Sequence, residues 1–505
     1  MPENRRFTRR QFIGSAACSA AALALAGKTL GARKTGRPNL VIIHTDEHNF
    51  RTLGCCRDML SNEQAYMWGE GLKVETPHID SIAKQGAIAT SCYSSSPVCS
   101  PSRSSLQTGL YPQATAVKKN NIPMLSSVKT FANVLQEKGY ATTYLGKWHL
   151  DGYGKPQWDP KRNFGYQDNR YMFNRGHWKK LIVKDNGGAL PPEHYVDGKL
   201  TMMWKLPSQE SVIGDEKSFT TDFLCDRTIQ AIERDKDRPF CVMCSIPDPH
   251  GPDKVRSPYN KMYDKDKFEE PRTLDAGKNL PGWLSKGKNW TDGFTESQRN
   301  GLAEYFGMVK CIDDNVGKIL AYLKRTGLEE NTIVVFTSDH GDLMGEHNRH
   351  NKGLPYETSA RIPFVIKYPG KIKPGKIVRK ANTNTDFAPT ILSLMGFEGE
   401  LKGCHGEDIS KDFTSHEKIV DSERIVYFRH ANENWAAAVS SRYKLVLSTV
   451  DRPWLFDLEK DPDELINFYN KKEYAGVAQR FKKAIVEQMK KFEEPMLKNG
   501  NLKMS

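Results

Sequence analysis

Acidic side chains and histidines close several short apolar runs of this chain. Asp46 and Glu47 end "NLVIIHTDEH" (39–48), and Asp339 and His340 end "NTIVVFTSDHGD" (331–342). If those runs are neighbouring strands, the carboxylate oxygens and the imidazole surround one hard divalent cation. The alternative is that each pair caps the turn or helix that follows. Lys147 and His149 are two residues apart in "LGKWHL". An extended chain puts both on one face, where an ammonium and an imidazole can bind an oxyanion and move a proton. His250 is held between prolines in "PDPHGP", and Lys352 lies in "HNRHNKGLPYE". Taken singly, each is also at home on a solvated strand end or loop.

The stretch "SSSPVCSPSRSSLQTGLYP" (94–112) adds a cysteine. Cys99 precedes a predicted helix with Pro101 in its first turn. The positive end of that helix favours an anion, and Arg103, four residues on, shares its face. Cys99 is therefore either a small core residue or a nucleophile, and no Cys-His protease signature accompanies it. Of ten cysteines, Cys18 falls near the N-terminus, and the others show no paired CxxC zinc pattern. Cys241 and Cys244 form one CxxC within "RPFCVMCSI", which reads as a buried strand.

These residues need a frame to bring them together. Continuous Val, Ile and Leu runs bounded by turn signals suit strands buried on both faces. Helical patterns lie between them. In "YFGMVKCIDDNVGKILAYLKRTG", residues Val309, Ile312, Val316, Ile319, Leu320 and Leu323 share one face, and Gly327 suits the cap. "SSVKTFANVLQEKGY" behaves alike and stops at Gly139. The alternation predicts an α/β fold with a mostly parallel central sheet flanked by helices, and chemistry beyond the carboxyl ends of its strands. From about residue 400 the texture changes to short strands and one final helix through Phe481, Ile485, Met489 and Phe492. This predicts a domain over 33–400 and a smaller C-terminal α+β domain over 401–505. The aromatic-rich, irregular stretch 151–215 either builds a substrate pocket or is a structural loop.

Taken in order, "TDEH", "CSPSRSSLQTG", "GKWH", "PHGP", "SDHGD" and "NKGLPYE" resemble the sulfatase family of the alkaline-phosphatase superfamily. "DFAPTILSLMG" and "LFDLEKDPDE" extend the likeness, which runs from about residue 38 to 470. The resemblance implies that Cys99 is oxidised to formylglycine by a formylglycine-generating or sulfatase-maturating enzyme. It implies that Asp46, Glu47, Asp339 and His340, with residue 99, hold Ca²⁺, or Mg²⁺ in its place. One hydroxyl of the hydrated aldehyde would attack the sulfur of a sulfate ester, and the other would expel sulfate. Arg103 and Lys147 would fix the aldehyde oxygens and His149 would take the proton. His250 with Lys352 would contact sulfate and protonate the leaving alcohol. Glu47 departs from the usual Asp-Asp pair: it keeps the charge and adds a methylene. Competing readings are a phosphodiesterase or phosphonate monoester hydrolase of the same superfamily, a thiol hydrolase, and a non-catalytic binder of sulfated glycans.

The N-terminus carries "RRFTRRQFIG" and then "SAACSAAALALAG". Arg9-Arg10 followed by a mild apolar run predicts a twin-arginine signal over residues 1–32, and hence the twin-arginine export machinery as a partner. A lipid anchor at Cys18 fits less well, because "IGSAAC" lacks the usual leucine. Net charge is +13 across 505 residues, and cleavage after Ala26 would leave +10. A basic surface suits a polyanion, and no nucleic-acid motif is present. Nor does any apolar run approach the ~20 residues that span a bilayer. The expectation is an exported, periplasmic or extracellular protein without stable membrane insertion, acting on sulfated polysaccharide or oligosaccharide.

Overall fold

Eight strands form the central sheet: β1 (Asn39–Asp46), β2 (Ala87–Ala89), β3 (Ala141–Lys147), β4 (Asp168–Phe173), β5 (Phe240–Pro249), β6 (Thr332–Ser338), β7 (Phe364–Lys367) and β8 (Lys376–Val378). The computed structural model describes residues 36–504 apart from 155–156, 185–186, 193–194, 197–198, 202–204, 206–209, 276–279, 285–293 and 416–422. The export signal expected over residues 1–32 lies outside the described residues. The strand order is β8-β2-β7-β6-β1-β5-β3-β4. All neighbours are parallel except around β7, which runs antiparallel to both β6 and β2. Every residue of β1, β5 and β6 is buried, as their unbroken apolar runs require.

Side chains alternate along each strand, so the sheet feeds two cores. Val41 and Ile43 of β1 face one side; Leu40 and Ile42 face the other. The flanking helices are α1 (Pro77–Gln85), α2 (Cys99–Thr108), α3 (Phe131–Glu137), α4 (Thr220–Asp235), α5 (Glu296–Arg325) and α6 (Phe387–Leu394). On the first side lie α1, α4 and α5, which bury Ile79, Phe223 and the α5 face Val309, Ile312, Val316, Ile319 and Leu323. On the second lie α2, α3 and α6, which bury Leu106, Phe131 and Ile391. Each such side chain contributes about 1.5–3 kcal/mol on burial. A Thr295–Gln298 capping box starts α5, and Gly327, at φ +70°, follows its end. Cys241 and Cys244 are fully buried within β5 on opposite faces, and the described cysteines are all free thiols.

Residues as far as Phe413 pack into the second core. The C-terminal layer then begins with β9 (Val426–Arg429), β10 (Trp435–Val439), β11 (Tyr443–Ser448) and β12 (Trp454–Asp457), an antiparallel sheet in chain order, followed by α7 (Ala475–Lys491). One face packs Tyr427, Leu445 and Leu455 on Phe481, Ile485 and Met489 of α7. The other packs Phe428, Trp435 and Trp454 on Tyr93 and Tyr356 of the larger layer. Lys444 lies buried in that seam, its Nζ 2.7 Å from both Glu357 and Glu464. No described helix is long and apolar enough to cross a membrane.

Candidate active site at the carboxyl edge of the central sheet

The register of β1 and β6 sets Thr45 beside Ser338, so Asp46 and the Asp339-His340 pair leave the sheet together. Ligand atoms of Asp46, Cys99, Asp339 and His340 all lie within 4.8 Å of one another, and all four residues are buried. Nδ1 of His340 faces the Gly341 carbonyl at 3.0 Å and takes the proton there, which turns Nε2 toward Cys99 Sγ at 3.3 Å. Burial opposes a charge on His340, but Asp339 and Cys99 outweigh it and hold the imidazole up at about 8.

Cys99 opens α2 and is 1% exposed. Burial alone would raise its thiol, yet the charges of Lys147, Lys352 and His340 bring it well below the ordinary value. One turn on, Arg103 ties the two acidic ends together. Its Nε donates to Asp339 at 2.9 Å and its Nη2 to Asp46 at 3.1 Å, while Nη1 reaches Lys147 O and Ser245 Oγ, both at 2.8 Å. Burial and the neighbouring Cys99 raise Asp46, but Lys147 and Arg103 outweigh them and keep it below its ordinary value. Asp339 is raised, by burial and by Asp46.

Lys147 ends β3 and its ammonium contacts Asp46 directly. Gly146, at φ +91°, makes this possible: a Cβ there would stand 1.9 Å from the Ser245 carbonyl of β5. The expected shared strand face of Lys147 and His149 is not how they meet. The strand ends at Lys147, and His149 sits at φ +59°. The turn is fixed by Trp148 N donating to Phe173 O at 2.8 Å and His149 N to Asn174 O at 2.7 Å. His149 is buried beside Cys99, its Nε2 3.2 Å from Asn121 Oδ1, and burial lowers it to about 4.

Glu47 takes φ +62°, and its side chain goes to another set of partners. Its Oε2 is 2.9 Å from His250 Nε2 and 2.7 Å from Lys352 Nζ. Burial would pull His250 down, but Glu47 outweighs it and holds the ring at about 9. Lys352 is half-buried, which disfavours its charge, yet Cys99 and Glu47 leave it above the ordinary lysine range. The other oxygen, Glu47 Oε1, is buried with no hydrogen-bond partner. All the residues singled out from the sequence thus gather at one end of the sheet, Glu47 and Lys352 flanking His250 rather than the Asp46–Asp339–His340 group.

The sequence reading missed His177. Its ring stacks on His250 at 3.7 Å and 9°, and its Nε2 lies 2.8 Å from Lys147 Nζ. It comes from the irregular stretch 151–215, whose aromatic content was the available signal; there a pocket wall and a structural loop are the same segment.

A mostly parallel sheet whose carboxyl edge surrounds a helix N-terminus with carboxylates, histidines and lysines defines an alkaline-phosphatase-like hydrolase. Within that class the chain belongs to the sulfatase family: residues 38–397 match the Sulfatase family, and 345–491 match the C-terminal region of N-sulphoglucosamine sulphohydrolase. It is a sulfuric ester hydrolase. It is 29% identical over 448 residues to an ulvan-active sulfatase of Formosa agariphila, covering 87% of this chain and 78% of that one. It is 25% identical to an N-acetylglucosamine-6-O-sulfatase of Bacteroides thetaiotaomicron, with 91% and 88% covered. The fold also matches the phosphonate monoester hydrolase of Agrobacterium radiobacter at TM-score 0.68, 22% identity, and 90% and 96% coverage.

Proposed function

We propose that this chain is an exported sulfatase that removes sulfate esters from sulfated polysaccharide or oligosaccharide, with formylglycine made from Cys99 as its nucleophile. The observation that carries the reading is the place of Cys99: buried at the start of α2, 3.3 Å from His340, above an arginine that bridges Asp46 and Asp339. The likeness to sulfatases that act on ulvan and on N-acetylglucosamine-6-O-sulfate supports the glycan substrate. The basic chain suits a polyanion.

The donor set fits a hard divalent cation, Ca²⁺ or Mg²⁺. Asp46, Asp339, His340 and residue 99 would hold it, and Glu47 Oε1, a buried anionic oxygen with no donor, fits the same role. Bound there, the ion supplies positive charge to sulfate oxygens. The hydrated aldehyde supplies two hydroxyls, one to attack sulfur and one whose deprotonation releases sulfate. The remaining work falls to the chain itself. Arg103 and Lys147 orient the hydroxyl oxygens and balance their charge. His149, kept neutral by burial, accepts the proton that triggers sulfate release. His250, charged at neutral pH beside Glu47, donates its proton to the leaving alcohol while Lys352 holds sulfate.

Two measurements test the proposal. Mass spectrometry of the Cys99 peptide from the native host should show a loss of about 18 Da, the change from CH₂SH to CHO. Enzyme carrying the aldehyde should release sulfate from members of a panel of sulfated glycans. An unmodified cysteine would favour a glycan binder. A large preference for an aryl phosphodiester over an aryl sulfate would favour the phosphodiesterase reading.

A further inference from the structure

The segment that follows β4 lies against the site. Asn174 anchors it: its carbonyl accepts from His149 N at 2.7 Å, and its side chain accepts from Asp151 N at 2.9 Å. The same side chain donates to Gly152 O at 2.9 Å and Gly154 O at 3.1 Å. The turn carrying Tyr153 is therefore clipped to the segment carrying Arg175. Three residues beyond Asn174, His177 reaches Lys147 and stacks on His250.

Arg175 lies between these two anchors. It is partly buried and has no hydrogen bond, ion pair or ring contact among the described residues. Four of the buried arginines are paired with carboxylates: Arg51 with Glu346, Arg103 with Asp46 and Asp339, Arg256 with Asp222, Arg429 with Glu494. A guanidinium partly withdrawn from water without a counter-anion gives up part of its hydration, and an entering anion offsets that loss. Burial lowers Arg175 from the ordinary arginine value, and the charges that oppose this are Cys99 and Tyr153. Its chain neighbours Asn174 and His177 contact His149, Lys147 and His250, which places Arg175, without a carboxylate partner among the described residues, beside the reacting centre. Tyr153 is 78% exposed, a large ring presented to solvent at the same place.

We propose that Arg175, with the ring of Tyr153 beside it, forms a second anion subsite that takes a carboxylate or a further sulfate carried by the glycan near the scissile sulfate. The proposal rests on the sulfatase reading and narrows it to substrates with at least two anionic groups. The planar fork of arginine matches either oxyanion with two parallel hydrogen bonds.

The test compares three sugars sulfated at a position the enzyme cleaves: one with no other anion, one with a second sulfate, and one joined to a uronic acid. For Arg175→Gln, KM on the doubly anionic sugars should rise about 10- to 100-fold with kcat held within about twofold. On the singly anionic sugar the loss should be below about threefold, smaller than on the others. Which doubly anionic sugar loses more identifies the group bound. Arg175→Lys should recover part of the loss, since it restores the charge without the fork. Tyr153→Ala should raise KM on all three sugars by less than Arg175→Gln does on the doubly anionic ones; it carries the test with Arg175→Lys if the glutamine variant is unstable. Equal losses on all three sugars with Arg175→Gln, or none on the doubly anionic pair, would overturn the subsite. Calorimetric titration of the same sugars into Cys99→Ala separates this from the reaction. Arg175-dependent binding without turnover by the wild-type enzyme would keep the subsite and sink the sulfatase reading. Turnover indifferent to Arg175 would do the reverse.

Discussion

At the carboxyl edge of the central sheet, Asp46, Glu47 and Asp339 are buried with Arg103, Lys147 and the half-buried Lys352; where the C-terminal sheet docks, Glu357 and Glu464 are buried with Lys444. Both clusters withdraw charge from water, which costs free energy unless geometry and further hydrogen bonds offset it. In the seam those bonds tie one layer to the other. Lys444 Nζ also donates to Pro355 O at 2.8 Å, Tyr93 donates to Glu357 at 3.2 Å, and Glu357 N donates to Glu464 at 2.7 Å. At the sheet edge several groups are left facing the centre: Glu47 Oε1 has no partner, and His340 Nε2 faces the Cys99 sulfur. One cluster spends its polar capacity on the fold, whereas the other keeps donor atoms free for a bound cation.

Substitutions should therefore divide cleanly between activity and stability. The largest effect is expected for Cys99→Ala, which should lower kcat/KM on an aryl sulfate by about 10⁴-fold or more while leaving the melting temperature within about 2 °C. A matching loss of stability would break the contrast. Next, Lys444→Met should leave Glu357 and Glu464 without their cation and cost about 3–5 kcal/mol in denaturant unfolding. The kcat of the molecules that remain folded should stay within about twofold; a drop near that of the cysteine variant would show that the seam reaches the chemistry. Lys147→Ala follows, with a fall of about 10²–10³-fold in kcat and little change in unfolding midpoint.

The smallest effect sharpens the seam itself. Burial raises Glu464 to about 7, and Lys444 only partly offsets it. A carboxyl raised in the folded state holds its proton there when the unfolded chain has lost it, so stability falls as pH rises from about 4.5 to 7, by up to about 3 kcal/mol. Glu357 is displaced the other way, below the ordinary carboxylate value, because Lys444 and Arg361 outweigh its burial, so its contribution changes below that window. Unfolding measured across pH 4.5–8 should flatten in Glu464→Gln; an unchanged slope would assign the dependence to another group.

Much of this arrangement was legible in the chain because its signals are local. Unbroken apolar runs marked β1, β3, β5 and β6, and the polar residues at their ends gather where a parallel sheet exposes its carboxyl edge. Gly139 and Gly327, both at positive φ, marked helix ends. What the sequence hid depends on pairing between distant segments. The four residues of β7 read like any buried strand, and only their partners β6 and β2 make them antiparallel. His177 is 30 positions from Lys147 and meets it because β4 pairs with β3. The path of Glu47 follows from one backbone angle, which no side-chain pattern announces.

The helix α2 is buried along its whole length, its four serines included, although its composition suits a surface loop. Once it docks, Cys99 is shut away from any modifying enzyme. On the proposed formylglycine reading, aldehyde formation and chain collapse would be in a race, and a molecule that folded first would keep its thiol. Two preparations with the same folded content and the same melting curve should then differ in specific activity according to how fast they were synthesised. Slower expression should raise the converted fraction read by mass spectrometry.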